Sequence, residues 1–240
     1  MSYLAVVVVV GLVIAIHECG HLLAAKWCGI PIERFSVGFG PKLVGFSYRE
    51  TSYWLSMIPL GGYVLPKLDE SESRGLPLHK AIMFALGGPF ANIVSAYLGL
   101  IVVGRLEFGV SASDTLLFAA TRLWVDVQQM AQAIAMLFAG VGEISGIVGI
   151  VAIGGSQFGS TLAGLLAFSV AINVNLAMVN LLPFPPLDGG RIAFAVLEKI
   201  YRPLFRIQAP VTLAGWAFML ALMVYATIHD LGRIGLDVLS

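Results

Sequence analysis

Apolar positions along this chain gather into four long runs, at Tyr3–Trp27, Ala81–Val103, Leu162–Leu182 and Ala209–Ile228. Each has the length that a helix rising about 1.5 Å per residue needs to cross a hydrocarbon core of about 30 Å. These runs predict four transmembrane helices. Between the first two the period changes. Lys42–Arg49 and Ser52–Ile58 alternate, carrying Val44, Phe46, Tyr48, Tyr53, Trp54 and Ile58, with Arg49-Glu50-Thr51 between them. A period of two puts successive side chains on opposite faces of a strand, so this stretch reads as a β-hairpin. Pro59-Leu60-Gly61-Gly62-Tyr63 follows as a second turn signal.

A third pattern covers residues 116–138. Leu116, Ala120, Leu123, Val127, Met130, Ile134 and Leu137 recur at alternating steps of four and three, with Arg122, Asp126 and Gln129 on the other side. That is an amphipathic helix suited to the outer membrane interface. The alternative is a fifth span, which parity would pair with the Gly-rich apolar stretch Ile144–Ile153. The expected fold class is an all-α polytopic membrane protein. It has about four transmembrane helices, a membrane-associated β-hairpin and an amphipathic interfacial helix. No repeat or low-complexity linker divides residues 1–240, so one domain is expected.

Composition agrees with that class. Of 240 residues, 58% are hydrophobic and only 12% charged, and mean hydropathy is +0.90. The formal net charge is zero, and no basic run offers a phosphate footprint, which argues against nucleic acid as a partner. The expected surroundings are a lipid bilayer. Lys26 sits at the end of the first run, Arg34, Lys42, Arg49, Lys67, Arg74 and Lys80 lie between the first two, and Arg191, Lys199, Arg202 and Arg206 follow the third. Only Arg105 and Arg122 lie between the second and third. The excess of Lys and Arg on cytosolic loops then puts the N-terminus outside and the first and third connections in the cytosol. Cys19 and Cys28 are nine apart, which puts them on opposite faces if the first helix continues that far, a poor geometry for a disulfide. No Lys or Arg precedes the first run, so it does not read as a cleavable signal.

The chemistry starts inside that first run. His17-Glu18-Cys19-Gly20-His21 is an HExxH motif, and positions four apart share a helix face. His17 and His21 can offer two imidazoles to one metal ion, with Glu18 beside them as a candidate general base. Zn2+ suits neutral imidazole, and three protein ligands with a water make a hydrolytic site. A charged residue near a bilayer centre costs roughly 2.5–3.5 kcal/mol on insertion scales, so three such groups in one span need a reason. The alternative is a polar stripe lining a transport path. His17 lies about 20 Å along the span from its outer end, nearer the cytosolic side.

A third ligand is expected from the end of the third run. There the chain reads Asn180-Leu-Leu-Pro183-Phe-Pro185-Pro186-Leu187-Asp188-Gly189-Gly190. Three prolines in four residues cannot continue a regular helix, and bare backbone at membrane depth is tolerated only against protein or a wet cavity. Asp188 can thus be carried back to a buried ion, although Asp-Gly-Gly also suits a cap on a following helix. Asn175 and Asn180 could bond unwound backbone, the chain's own or a substrate's. Asn180 is a substrate-binding candidate on equal terms with a structural role. Asn173 reads as packing. Gly87-Gly88-Pro89-Phe90-Ala91-Asn92 marks close helix packing, and Asn92 is taken as part of it. The hairpin could lend an edge strand, with Leu55 and Ser56 as substrate-binding positions, or simply rest on the membrane.

Together these residues resemble the site-2 protease family of intramembrane zinc metalloproteases. His17–His21 is similar to the family's metal and base motif, and Asn180–Gly190 to its Asn/Pro-rich segment, whose Asp is the third ligand. Phe35–Gly40 and Ile58–Val64 resemble segments flanking the membrane-reentrant β-structure of the bacterial branch that cuts anti-sigma factors. Gly87–Asn92 resembles its second-span motif. The stretch Gly104–Ala163 is too short for the PDZ domains that branch usually carries. The resemblance implies hydrolysis of transmembrane segments of single-pass proteins, such as anti-sigma factors or remnant signal peptides, in the bacterial cytoplasmic membrane. The rival class is a non-catalytic metal-binding membrane protein or transporter; an inverted repeat, which a transporter should show, is not seen.

Overall fold

The structure, a computed structural model, describes residues 3–69, 76–140 and 161–239. The stretch Ile144–Ile153 lies outside the described residues. Helix α1 (Tyr3–Trp27) leads into two long bent strands, β1 (Ile32–Tyr48) and β2 (Thr51–Pro66). Helices α2 (Leu78–Leu106), α3 (Thr115–Phe138), α4 (Leu162–Asn180) and α5 (Asp188–Ile200) follow. A 3-10 turn at Arg202–Leu204 then enters α6 (Phe205–Leu239). Among the described residues four helical segments are long and apolar enough to cross a membrane: Leu4–Trp27, Leu78–Leu106, Leu162–Asn180 and Phe205–Asp230. They contain the four apolar runs to within a few residues, since bilayer thickness alone sets that length.

Helices α1, α2 and α4 form the centre of the bundle. Where α1 crosses α2, Gly20 and Gly87 meet backbone to backbone. A Cβ on Gly20 would lie 2.6 Å from Ala91 Cβ, and one on Gly87 would lie 2.8 Å from Ala24 Cβ. Small residues at a four-residue spacing permit this approach, and in lipid the resulting dispersion contact replaces a hydrophobic drive. At the C-terminal end of α1 Leu22, Ala25, Cys28, Ile30, Ile32, Phe35, Val64 and Phe84 form one buried cluster. That cluster ties the sheet to the ends of α1 and α2.

The strands run beyond the predicted hairpin at both ends. Lys42–Tyr48 pairs with Thr51–Ser56 as expected, but Ile32–Val37 pairs with Gly62–Pro66. Arg34–Val37 also pairs, in the other direction, with Ser52–Leu55. Each strand therefore bends and contributes two segments. Positive φ at Gly38 and Gly40 lets β1 bend. One consequence corrects an expectation. Leu55 pairs with Val37 on one side and Val44 on the other, so its segment is interior and has no free edge there. Among the described residues the free edges belong to Gly62–Pro66 and to Lys42–Tyr48.

Helix α3 packs on the bundle. Ala119, Leu123, Val127 and Met130 meet Tyr97, Leu100 and Ile101 of α2 and Val170, Val174 and Met178 of α4. Leu117, Trp124 and Phe138 face outward and are exposed. The polar stripe lines a cavity of about 660 Å³ between the three helices, where Arg122 holds Asp126 at 3.1 Å. Burial raises the Asp126 carboxyl above its ordinary range, and Arg122 opposes that shift. Two apolar faces on one helix explain the difference from a simple amphipathic reading. One face meets protein and the other is available to lipid.

Candidate metal centre

His17 and His21 lie one turn apart on α1, both buried. Asp188 is the first residue of α5, directly after the proline-rich turn, and it is buried as well. That turn brings the start of α5 back against α2 and α1. His17 Nε2 lies 3.1 Å from Asp188 Oδ2, His21 Nε2 lies 3.2 Å from the same oxygen, and the two Nε2 atoms are 3.2 Å apart. In a tetrahedral zinc centre with bonds of about 2.0–2.1 Å, neighbouring ligand atoms lie about 3.3 Å apart. The triangle has that size.

The proton inventory also points to a cation. His21 Nδ1 lies 2.8 Å from the carbonyl oxygen of Phe84, which can only accept, so Nδ1 carries the proton. Gly88 N lies 3.3 Å from that Nδ1. The shorter contact decides, because one nitrogen cannot both donate to Phe84 and accept from Gly88. With Nδ1 protonated, neutral His21 aims the Nε2 lone pair at a carboxylate oxygen. Such a convergence is repulsive unless a proton or a metal ion sits in it. Among the described residues this is the group of three able to hold a metal, with ligand atoms within 4.8 Å of one another.

Two backbone walls close the site. Gly88 of α2 faces the ligands, and a Cβ there would lie 2.6 Å from His17 Nε2 and 2.7 Å from His17 Cε1. On the other side Gly62 of β2 lies against Glu18, where a Cβ would be 2.6 Å from Glu18 Cγ. The edge segment Gly62–Pro66 thus passes beside the carboxylate. A cavity of about 370 Å³ continues from this edge, lined by Val64, Leu65, Phe84, Arg191 and Lys199 among others.

The remaining candidates have other partners. Asn180 ends α4 and donates to the Leu176 carbonyl at 3.0 Å, a bond within its own helix. Asn175 is exposed and points to Met130 Sδ at 3.8 Å. Leu55 is exposed on the sheet, while Ser56 is buried and shares a 3.0 Å hydrogen bond with Ser36. Sequence reasoning passed over Gly62 and Gly88 as site residues. Only their Gly-Gly pairs signalled a close approach.

A polytopic membrane bundle with two histidines of an HExxH motif and an aspartate around one point defines a membrane metalloprotease. The chain belongs to peptidase family M50, whose sequence model matches residues 5–224. A protein of Campylobacter jejuni, named among the zinc metalloproteases, is 27% identical over 98% of this chain and 94% of its own. A relative from Nostoc, also named among them, is 24% identical over 96% of each chain. The membrane metalloprotease ARASP of Arabidopsis thaliana chloroplasts is 24% identical over 83% of this chain and 71% of its own. The first two alignments run over 346 and 348 positions, more than the 240 residues here, so those relatives carry inserted segments. The protein is a zinc-dependent, multi-pass membrane metalloprotease.

Proposed function

We propose that His17, His21 and Asp188 hold the zinc, that Glu18 is the general base, and that the substrates are transmembrane segments of single-pass proteins. The observation that carries this reading is the triangle of ligand atoms with Glu18 beside it and a strand edge passing over Glu18. Zinc bound there supplies Lewis acidity and lowers the pKa of a bound water toward neutrality. Glu18 takes a proton from the attacking water and returns it to the leaving amide nitrogen, which keeps the proton balance within the site.

A helical substrate has its carbonyls bonded internally, so unwinding precedes attack. The edge of Gly62–Pro66 supports this step by offering main-chain partners to the extended form. The Lys and Arg distribution supports an N-terminus outside the bacterial cytoplasmic membrane and a site toward the cytosol. Anti-sigma factors and remnant signal peptides are the substrate classes that fit. The test is cleavage of a model single-pass substrate by the purified protein in detergent, with and without a chelator. Cleavage should stop on chelation and return on adding zinc. Cleavage that persists in protein shown by elemental analysis to be metal-free would refute the reading.

A further inference from the structure

His17 lacks what His21 has. His21 gives its Nδ1 proton to the Phe84 carbonyl, but His17 Nδ1 is buried with no hydrogen-bond partner among the described residues. A metal-bound imidazole ordinarily donates that proton to a carboxylate, carbonyl or water, which fixes the ring and its tautomer. Helix period puts Phe84, Gly88 and Asn92, four apart, on one face of α2. Phe84 serves His21, Gly88 touches both rings, and Asn92 comes one turn further toward the outer end. Helices α1 and α2 run antiparallel, so Asn92 falls on the His17 side of Gly88.

Asn92 is fully buried, and neither its Oδ1 nor its Nδ2 has a partner among the described residues. Asn173 of α4 is 1% exposed; its Nδ2 donates to Ser169 O at 2.8 Å, but its Oδ1 is also unpaired. These four atoms match in kind. His17 Nδ1–H is a donor, Asn92 Oδ1 an acceptor, Asn92 Nδ2 a donor and Asn173 Oδ1 an acceptor. A buried polar group is rarely left unpaired, and a fully satisfied chain is the arrangement that makes three such residues tolerable in one bundle.

We propose that Asn92 is the positioning residue for the metal ligand His17, accepting its Nδ1 proton and donating in turn to Asn173. The links close through a small side-chain shift or a bridging water. Each metal histidine then has an acceptor on α2, a backbone carbonyl for His21 and a side-chain amide for His17. The inference rests on the metal centre proposed above and adds two residues to it. It also gives Asn92 and Asn173, which sequence alone assigns to packing, a place in the site.

The test is zinc affinity of the full chain in detergent, read by competition with a chromophoric chelator, with thermal unfolding of the zinc-free protein recorded alongside. Asn92→Leu keeps the volume and removes both polar atoms. It should weaken zinc binding by about 10–100-fold, the usual cost of losing such a partner. Asn92→Asp keeps an acceptor toward His17 and should bind zinc at least as well as wild type. Asn173→Leu removes only the far acceptor and should cost less than Asn92→Leu. An Asn92→Leu affinity within twofold of wild type, or an Asn92→Asp loss as large as that of the leucine variant, overturns the inference. A larger loss in Asn173→Leu than in Asn92→Leu also overturns it, since Asn173 would then serve His17. A wild type that takes up no zinc overturns the metal centre and this inference together.

Discussion

Gly62 lies so close to Glu18 that a single added methyl would sit 2.6 Å from the Glu18 Cγ. The same position is 2.8 Å from the Ser36 carbonyl oxygen across the strand pair, so the methyl cannot escape sideways. Gly62→Ala should therefore push the carboxylate away while leaving the three metal ligands in place. A displacement near 1 Å can cost about 10²-fold in rate. The expected outcome is normal zinc content with turnover reduced by about that factor, measured as kcat on a model substrate alongside metal analysis.

Gly88 makes the complementary case. A side chain there meets His17 Nε2 and His21 Nε2 directly, so Gly88→Ala must displace a ligand or occupy the metal position. Functional sites tolerate about 0.5 Å of error before they fail. Zinc content should fall well below one per chain in protein that remains folded by circular dichroism. Full zinc occupancy in Gly88→Ala would mean that α2 is not a wall of the centre. The two alanine variants thus separate base from metal.

Glu18→Gln keeps size and leaves His17, His21 and Asp188 untouched. Zinc should stay bound, and turnover should fall by about 10²–10⁴-fold or more, the usual worth of general acid–base help. Asp188→Ala should instead lower zinc occupancy and abolish cleavage. If Glu18→Gln turned over at near-normal rate, another group would be the base.

The spans were legible because bilayer thickness imposes a run length that no other rule competes with. His17 and His21 were legible as a pair because helix period alone puts them on one face. Asp188 could be suspected because prolines at 183, 185 and 186 forbid the helix from going on. Other features depend on what touches what. The sheet extends into Phe35–Gly40 and Ile58–Val64, where glycines interrupt the alternation that marks a strand. Sequence pairs Ser52–Ile58 with Lys42–Arg49 but cannot see Arg34–Val37 arriving on the other side, and that arrival removes the free edge at Leu55. Gly62 and Gly88 carry no side chain to announce a role. Their meaning lies wholly in Glu18 and His17 opposite them.

That sheet order changes where a strand clamp would act. Leu55 has a strand on each side, so Leu55→Pro should break the sheet interior and lower stability without singling out cleavage. The edge beside Glu18 is Gly62–Pro66, and in an antiparallel pair N–H groups point alternately toward the partner and away from it. Of the adjacent residues Val64 and Leu65, one therefore presents its N–H outward. Proline at that position should impair cleavage of a helical transmembrane substrate strongly, with zinc content and thermal stability close to wild type. A substrate already loosened by helix-breaking residues should suffer less, because less unwinding is left to stabilise. Proline at the other position removes a bond to β1 and should show first as a lower melting temperature. If neither Val64→Pro nor Leu65→Pro slows cleavage in folded, zinc-loaded protein, the edge does not hold substrate and the sheet serves only to wall in Glu18.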